Sequence, residues 1–295
     1  MRVLTAVGND EESLQAQVLL GRMEFKALNG KAVYVVERLG ASLVSENALP
    51  AADLITRYMQ LQEEEGRQRL ERADAVLQEY GVKLETQLRT GFIANEIMKA
   101  ADEEKVDLLA MGSRDEKPLN KLLVGSVTRK LVIKAKQSLL VARNVKHNKE
   151  PLRAVLATDH SPYGDRCFDI LLADWPLGVK EVTLVTAYSR DVVKAIGSVM
   201  GSIKADFDVM VERVLGERNA ALQRKLEELG VRVKSVVSPS PVGEAIDKAV
   251  RDSNAELLML GAQGHGFFDR LGVGSVSFEQ VVSGKVSVLV LRAPI

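Results

Sequence analysis

The chain repeats itself once, and a repeat of this length fixes the number of folding units before any strand or helix is assigned. Asp107-Leu-Leu-Ala-Met-Gly112 returns as Glu256-Leu-Leu-Met-Leu-Gly261, Leu122-Leu-Val-Gly-Ser-Val127 as Leu271-Gly-Val-Gly-Ser-Val276, and Gly81-Val-Lys-Leu as Gly230-Val-Arg-Val, all at an offset of 149. The opening Arg2-Val-Leu-Thr-Ala-Val7 resembles Arg153-Ala-Val-Leu-Ala-Thr158 at an offset of 151, a drift that small differences in loop length explain. A polar stretch, Asn144-Val-Lys-His-Asn-Lys-Glu-Pro151, separates the copies and suits an exposed linker. The expected domains are therefore 1–146 and 151–295, within a chain of 295 residues.

Within each copy, short runs rich in Val and Leu alternate with longer stretches of helical period. Strands are expected near 2–7, 31–37, 82–88, 106–111 and 138–142, and again near 153–158, 180–187, 231–237, 256–260 and 287–291. A long helix should end around Tyr80-Gly81, and another should span 205–229. Five such runs, each followed by a helix except the last, imply parallel crossovers. The expected fold is α/β: two tandem doubly wound domains, each with a five-stranded parallel sheet and helices on both faces.

Composition narrows the function classes. Forty Lys and Arg balance forty Asp and Glu, so the chain lacks the overall field that draws in nucleic acid or anionic membrane. Aromatic residues make up 4%, too few for stacking platforms on single strands. Cys167 is the lone cysteine, and His147, His160 and His265 offer no close ligand pair, so no metal site is expected. The expected location is the cytoplasm: Gly8-Asn-Asp10 interrupts any signal core, and no apolar run of membrane-spanning length follows. Neither nucleic acid nor membrane is expected as a partner.

Open parallel sheets bind ligands outside the carboxyl ends of their strands, where the strand order reverses. After the fourth strand of the second copy comes Gly261-Ala-Gln-Gly264, then nine residues, then Gly274-Ser275 and a helical run. Glycines at 261 and 264 are expected to turn with positive φ and bring their amides close to a bulky anion. Gly274-Ser275 opens a helix whose first amides lack acceptors and whose dipole favours negative charge. Asp159, at the end of the first strand, could meet a base or ribose. It could equally cap the following helix, and Ser161-Pro162 reads first as an N-cap and first helical residue.

These residues resemble the universal stress protein family, and the resemblance covers both halves. It implies ATP binding through Asp159, Gly261, Gly264, Gly274 and Ser275, with backbone groups around Thr186 and Ala187 touching the base. Magnesium would accompany the nucleotide. The first copy departs from the pattern: Gly8 stands in the place of Asp159, and Asp115 in the place of Gly264, adding negative charge where phosphate should lie. Gly125-Ser126 survives, as a flexible entry and cap. The first half is thus expected to be a structural or regulatory copy without nucleotide.

Other side chains are weaker candidates. Arg270 could reach a γ-phosphate, His160 could line the base pocket, His265 reads as a loop residue, and Cys167 as a packed helical one. No catalytic residue is assigned. Gly30-Lys-Ala and Gly284-Lys-Val lack the remainder of a Walker A loop, and Gly272-Val-Gly-Ser-Val-Ser277 lacks the third glycine of the dinucleotide fingerprint. The expectation is an ATP-binding, nucleotide-responsive stress regulator, with slow ATP hydrolysis as its upper limit of chemistry and a protein partner of unknown identity. The alternatives are an interaction scaffold without nucleotide and a weak phosphoryl- or nucleotidyl-transfer enzyme on the same fold. The resemblance further implies that the last strands, Ser138-Leu-Leu-Val-Ala142 and Ser287-Val-Leu-Val-Leu291, pair two domains. The halves would then imitate a homodimer within one chain, and dimerisation of the whole chain stays open.

Overall fold

Neighbours in sequence, and not alternate residues, are buried along the central strands: Val3 with Leu4, Leu108 with Leu109, and Leu257 with Leu258 and Met259. Such continuous burial is what a parallel sheet covered on both faces requires, since both sides of every strand then face helices. Each leucine so enclosed contributes roughly 1.5–3 kcal/mol of apolar transfer. The computed structural model describes residues 1–38, 49–113, 125–190, 207–264 and 273–294, apart from the side chains of 49–53 and 207. These fall into two compact units, Met1–Gly21 with Ala27–His147, and Arg22–Lys26 with Asn148–Ile295.

In the first unit, β1 (Arg2–Val7) leads through a short 3-10 turn (Glu11–Leu14) into α1 (Gln15–Met23). There follow β2 (Asn29–Glu37), α2 (Leu49–Glu79), β3 (Glu85–Gly91), α3 (Ile93–Glu103), β4 (Leu108–Gly112), α4 (Ser126–Lys134) and β5 (Ser138–Ala142). The second unit runs β6 (Leu152–Ala157), α5 (Pro162–Ala173), β7 (Val179–Ala187), α6 (Phe207–Glu228), β8 (Arg232–Ser238), α7 (Val242–Ser253), β9 (Leu257–Gly261), α8 (Ser275–Ser283) and β10 (Ser287–Leu291). Strand order is β3-β2-β1-β4-β5 in the first and β8-β7-β6-β9-β10 in the second. The pairings within each unit are parallel. Chain order reverses beside β1 and β4, and beside β6 and β9, so each unit carries its crevice there.

Sequence spacing places the third strand too early in the first copy. Gly81, at φ +74°, ends α2 in a left-handed turn, and the Val82 amide reaches back to the Leu77 carbonyl at 3.0 Å. That turn uses 82–84, and β3 begins only at Glu85. Gly230, at φ +78°, stops α6 the same way, with Val231 N donating to Leu226 O at 3.2 Å. Gly30, which belongs to no phosphate loop, is explained by backbone crowding. It sits at φ +138°, where an added Cβ would overlap the Val3 carbonyl oxygen of the adjoining strand.

Register confirms the alignment of the two copies. Ala6 lies opposite Met111 and Val33, as Ala157 lies opposite Leu260 and Val185. Two residues beyond each alanine stand Gly8 and Asp159, so these two positions are structural equivalents.

Candidate nucleotide site

The loop after β6 is held by its own backbone. Thr158 N donates to the Val185 carbonyl at 3.0 Å, and the Thr158 hydroxyl accepts from His160 N at 3.0 Å. Asp159 Oδ1 accepts from Ser161 N at 3.0 Å. Ser161 is the N-cap of α5, its hydroxyl accepting from Gly164 N at 3.1 Å, with Pro162 as the first helical residue. Capping therefore falls to Ser161, and Asp159 tightens the approach to the helix while keeping its second oxygen toward the crevice.

That second oxygen explains a glycine. An ideal Cβ on Gly264 would lie 2.5 Å from Asp159 Oδ2, so a side chain there would force the carboxylate or the loop after β9 to shift. Neither Gly261 nor Gly264 has the positive φ expected of them; the left-handed residue here is His160, at φ +53°. Close approach, and not a left-handed turn, is what calls for glycine at 264.

Gly274 N donates to the Ala262 carbonyl at 2.7 Å, and the buried Ser277 hydroxyl donates to the Gly261 carbonyl at 2.7 Å. These two bonds pin the start of α8 against the end of β9. The N-cap Gly274 provides no side-chain acceptor to the first amides of this nine-residue helix. Gly274, Ser275, Val276 and Ser277 line the crevice, and the first N–H groups of a helix, with its dipole, are suited to an anion.

A cavity of about 360 Å³ joins these parts. It brings together Asp159, Ala187, Gly261, Gly264, Gly274 and Ser275. Phe168, Val185, Ile246 and Leu260 provide an apolar wall beside them, and among the described lining residues Asp159 is the charged one. Thr186 does not line it: the side chain is buried below the sheet end and donates to Asn219 Oδ1 at 2.7 Å. His160 likewise turns away from the cavity, its ring buried and Nε2 bonded to Asn219 Oδ1 at 2.8 Å. Arg270 and His265 lie outside the described residues, as does Asp115. Among the described residues, no group of three or more His, Cys, Asp or Glu could hold a metal ion.

The first unit keeps a crevice of about 290 Å³ at the equivalent place, but its inner parts differ. A Cβ on Gly8 would stand 3.1 Å from Ser13 Cβ, so a carboxylate there would crowd a buried serine. Ser13 aligns with Gly164, where a Cβ would come within 3.3 Å of Asp159 Oδ1. The two copies thus exchange bulk between paired positions: Asp with Gly in one, Gly with Ser in the other. A Cβ on Gly112 would overlap the backbone of Glu12 and Ser13, whereas one on Gly261 would stay 3.4 Å or more from its neighbours. Gly125 stands at the N-cap of α4 at the ordinary φ of −53°, its carbonyl accepting from Arg129 N at 3.0 Å, and it caps the helix without a side-chain bond.

Comparison with known proteins agrees with this doubling. The profile of the Universal stress protein family matches residues 1–143 and again 152–292. The chain belongs to the universal stress protein family. A universal stress protein of Methanocaldococcus jannaschii is 34% identical over 98 residues, covering 33% of this chain and 58% of the relative. A second one from the same archaeon is 32% identical over 80 residues, covering 27% of this chain and 49% of the relative. The chain spans about half the length of the curated relatives it matches. The crystal structure of a universal stress protein from Archaeoglobus fulgidus superposes with a TM-score of 0.63 at 20% identity, covering 99% of this chain and 98% of that one. A putative universal stress protein from Pseudomonas aeruginosa gives 0.58 at 14% identity, covering 98% and 92%. At such identities the structures establish the doubly wound fold.

In this universal stress protein, three contributors to the site lie outside the glycine motif. Ser277 ties helix to strand, Gly164 makes room for the Asp159 carboxylate, and Asn219 receives two hydrogen bonds beneath it. No helix among the described residues is long and apolar enough to cross a membrane.

Cys167 packs behind the site as expected. Its thiol is buried, lies 3.5 Å from the Leu291 carbonyl, and is pushed up to about 11 by burial. The native protein should therefore resist a disulfide reagent such as dithionitrobenzoate at pH 8, and release one thiol per chain after denaturation. The unfolded thiol ionises first, so this residue takes stability away as pH rises from about 9 toward 11. A native thiol that reacts as fast as the denatured one would contradict the burial.

Proposed function

We propose that the second unit of this protein binds ATP and that occupancy biases its conformation or its choice of protein partner. The observation that carries the reading is that Asp159 and Gly264, in close approach, line one cavity together with the residues that open α8. A space of about 360 Å³ falls in the ~300–1,000 Å³ range of ordinary small-molecule sites. The Asp159 carboxylate would accept from the base or ribose at one end. Amides at the start of α8 would donate to phosphate oxygens at the other. The apolar wall of Val185, Ile246 and Leu260 suits a flat base. When bound, the nucleotide supplies the negative charge that the helix terminus favours, and a magnesium ion would arrive on its phosphates with water as further ligands.

A binding role suits these residues better than efficient catalysis. Among the described cavity-lining residues Asp159 is the titratable side chain, and it is already engaged by Ser161 N. Binding alone switches nothing: ATP must favour one conformation over another for a partner to sense it. The test is stoichiometry. Titration calorimetry should give one ATP per chain, with nucleotide recovered by extraction from protein purified without added ligand. Two equivalent sites per chain would reject the assignment of the first unit, and no ATP binding would reject the reading as a whole.

A further inference from the structure

The residue after Asp159 is fixed from three directions. His160 N is held by the Thr158 hydroxyl at 3.0 Å, its carbonyl accepts from Arg218 Nη1 at 3.1 Å, and its ring Nε2 donates to Asn219 Oδ1 at 2.8 Å. Asn219 Oδ1 accepts also from the Thr186 hydroxyl at 2.7 Å, and Asn219 is fully buried. Because a carbonyl oxygen only accepts, the ring must carry its proton on Nε2. The other ring nitrogen, Nδ1, lies 3.9 Å from Asp165 Oδ1. These anchors come from β7 and from the middle of α6, so they tie the Asp159 loop to elements remote from the glycine loop.

His160 needs them. A left-handed backbone at φ +53° is disfavoured for a residue with a Cβ and persists where surrounding contacts over-determine it. The first copy dispenses with the arrangement. By register and repeat offset, His160, Thr186 and Asn219 align with Asn9, Tyr34 and Leu70, where Tyr34 OH donates to Asn9 Oδ1 at 2.5 Å and Leu70 packs in an apolar cluster. The three-membered network therefore accompanies the copy that has the carboxylate.

We infer that His160, held by Asn219 and Thr186, is a positioning residue that aims the Asp159 carboxylate at the base or ribose end of the ligand. This inference rests on the ATP reading of the same cavity. It predicts a division of labour: the network governs the nucleoside end, and the β9–α8 junction governs the phosphates. Changes to the network should then weaken ATP and ADP alike, leaving their ratio untouched.

The test measures ATP and ADP affinity of the full chain by calorimetry for His160→Gly, Asn219→Leu and the double variant. Glycine removes the ring and relieves the left-handed backbone, and leucine copies the first unit. Each single change should weaken both nucleotides by about tenfold, with the ATP to ADP ratio held within roughly twofold. The double variant should be no weaker than the worse single, since both remove one network. Thr186→Val, which deletes one hydroxyl, should weaken both by about threefold and carries the test if a larger change prevents folding. ATP affinity kept within roughly twofold of the unaltered chain, or an altered ratio, would overturn the positioning role while leaving the ATP reading intact. An unaltered chain that binds no ATP would instead sink both.

Discussion

Gly264→Asp is expected to remove ATP binding, with affinity falling by about a hundredfold or more. The new Cβ would lie 2.5 Å from Asp159 Oδ2, so the loop or the carboxylate must move before any charge is considered. Rotation of Asp159 is restrained on its other oxygen by the Ser161 amide at 3.0 Å. The second carboxylate then faces both Asp159 and the triphosphate within a partly enclosed space, where like charges are screened less than on an open surface. Gly264→Ala separates the two effects: it carries the steric part alone and should lose about tenfold. Calorimetry gives the affinities, and an unchanged melting temperature in the absence of ligand shows that the unit still folds. An aspartate variant that binds ATP like the unaltered chain would place the phosphates elsewhere.

Much of this architecture was legible because it repeats local rules. Runs of Val and Leu mark strands buried on both faces, and Gly81 and Gly230 mark the ends of the long helices. Ser161-Pro162 marks a helix start, as its bond to Gly164 N shows. What the sequence conceals depends on neighbours distant along the chain. The glycine at 264 looks like a turn residue, and its reason is an oxygen on residue 159. His160 looks like a pocket residue, yet its ring partner lies 59 positions away on a helix that carries no motif. Thr186 sits at the right strand end, but the alternation of a strand turns its side chain inward and leaves Ala187 at the cavity. Spacing finds the loops that meet; only packing tells which side chains enter.

The first unit provides the complementary experiment, a gain of binding. Gly8→Asp alone should fail, because its Cβ would come 3.1 Å from Ser13 Cβ and the carboxylate would enter space that a buried serine occupies. Ser13→Gly opens that space, as Gly164 does for Asp159, but also removes the Ser13 hydroxyl that donates to the Gly8 and Asp10 carbonyls at 3.2 and 2.6 Å. The 3-10 turn before α1 should loosen by about 1–2 kcal/mol, read as a lower denaturation midpoint. Asp115, which the repeat aligns with Gly264, is the third departure from the second copy, and its negative charge is expected to oppose a phosphate. The triple change Gly8→Asp, Ser13→Gly and Asp115→Gly is therefore expected to raise ATP stoichiometry from one to two per chain, the new site being weaker because Leu70 stands where Asn219 anchors the second copy. Either Gly8→Asp or Asp115→Gly by itself should leave the count at one. A triple variant that folds and still binds one ATP would show that the crevice of the first unit is closed to nucleotide by something other than these three side chains. In that case the close approach of the Glu12 and Ser13 backbone to Gly112 is the next candidate, since no side-chain exchange alters it.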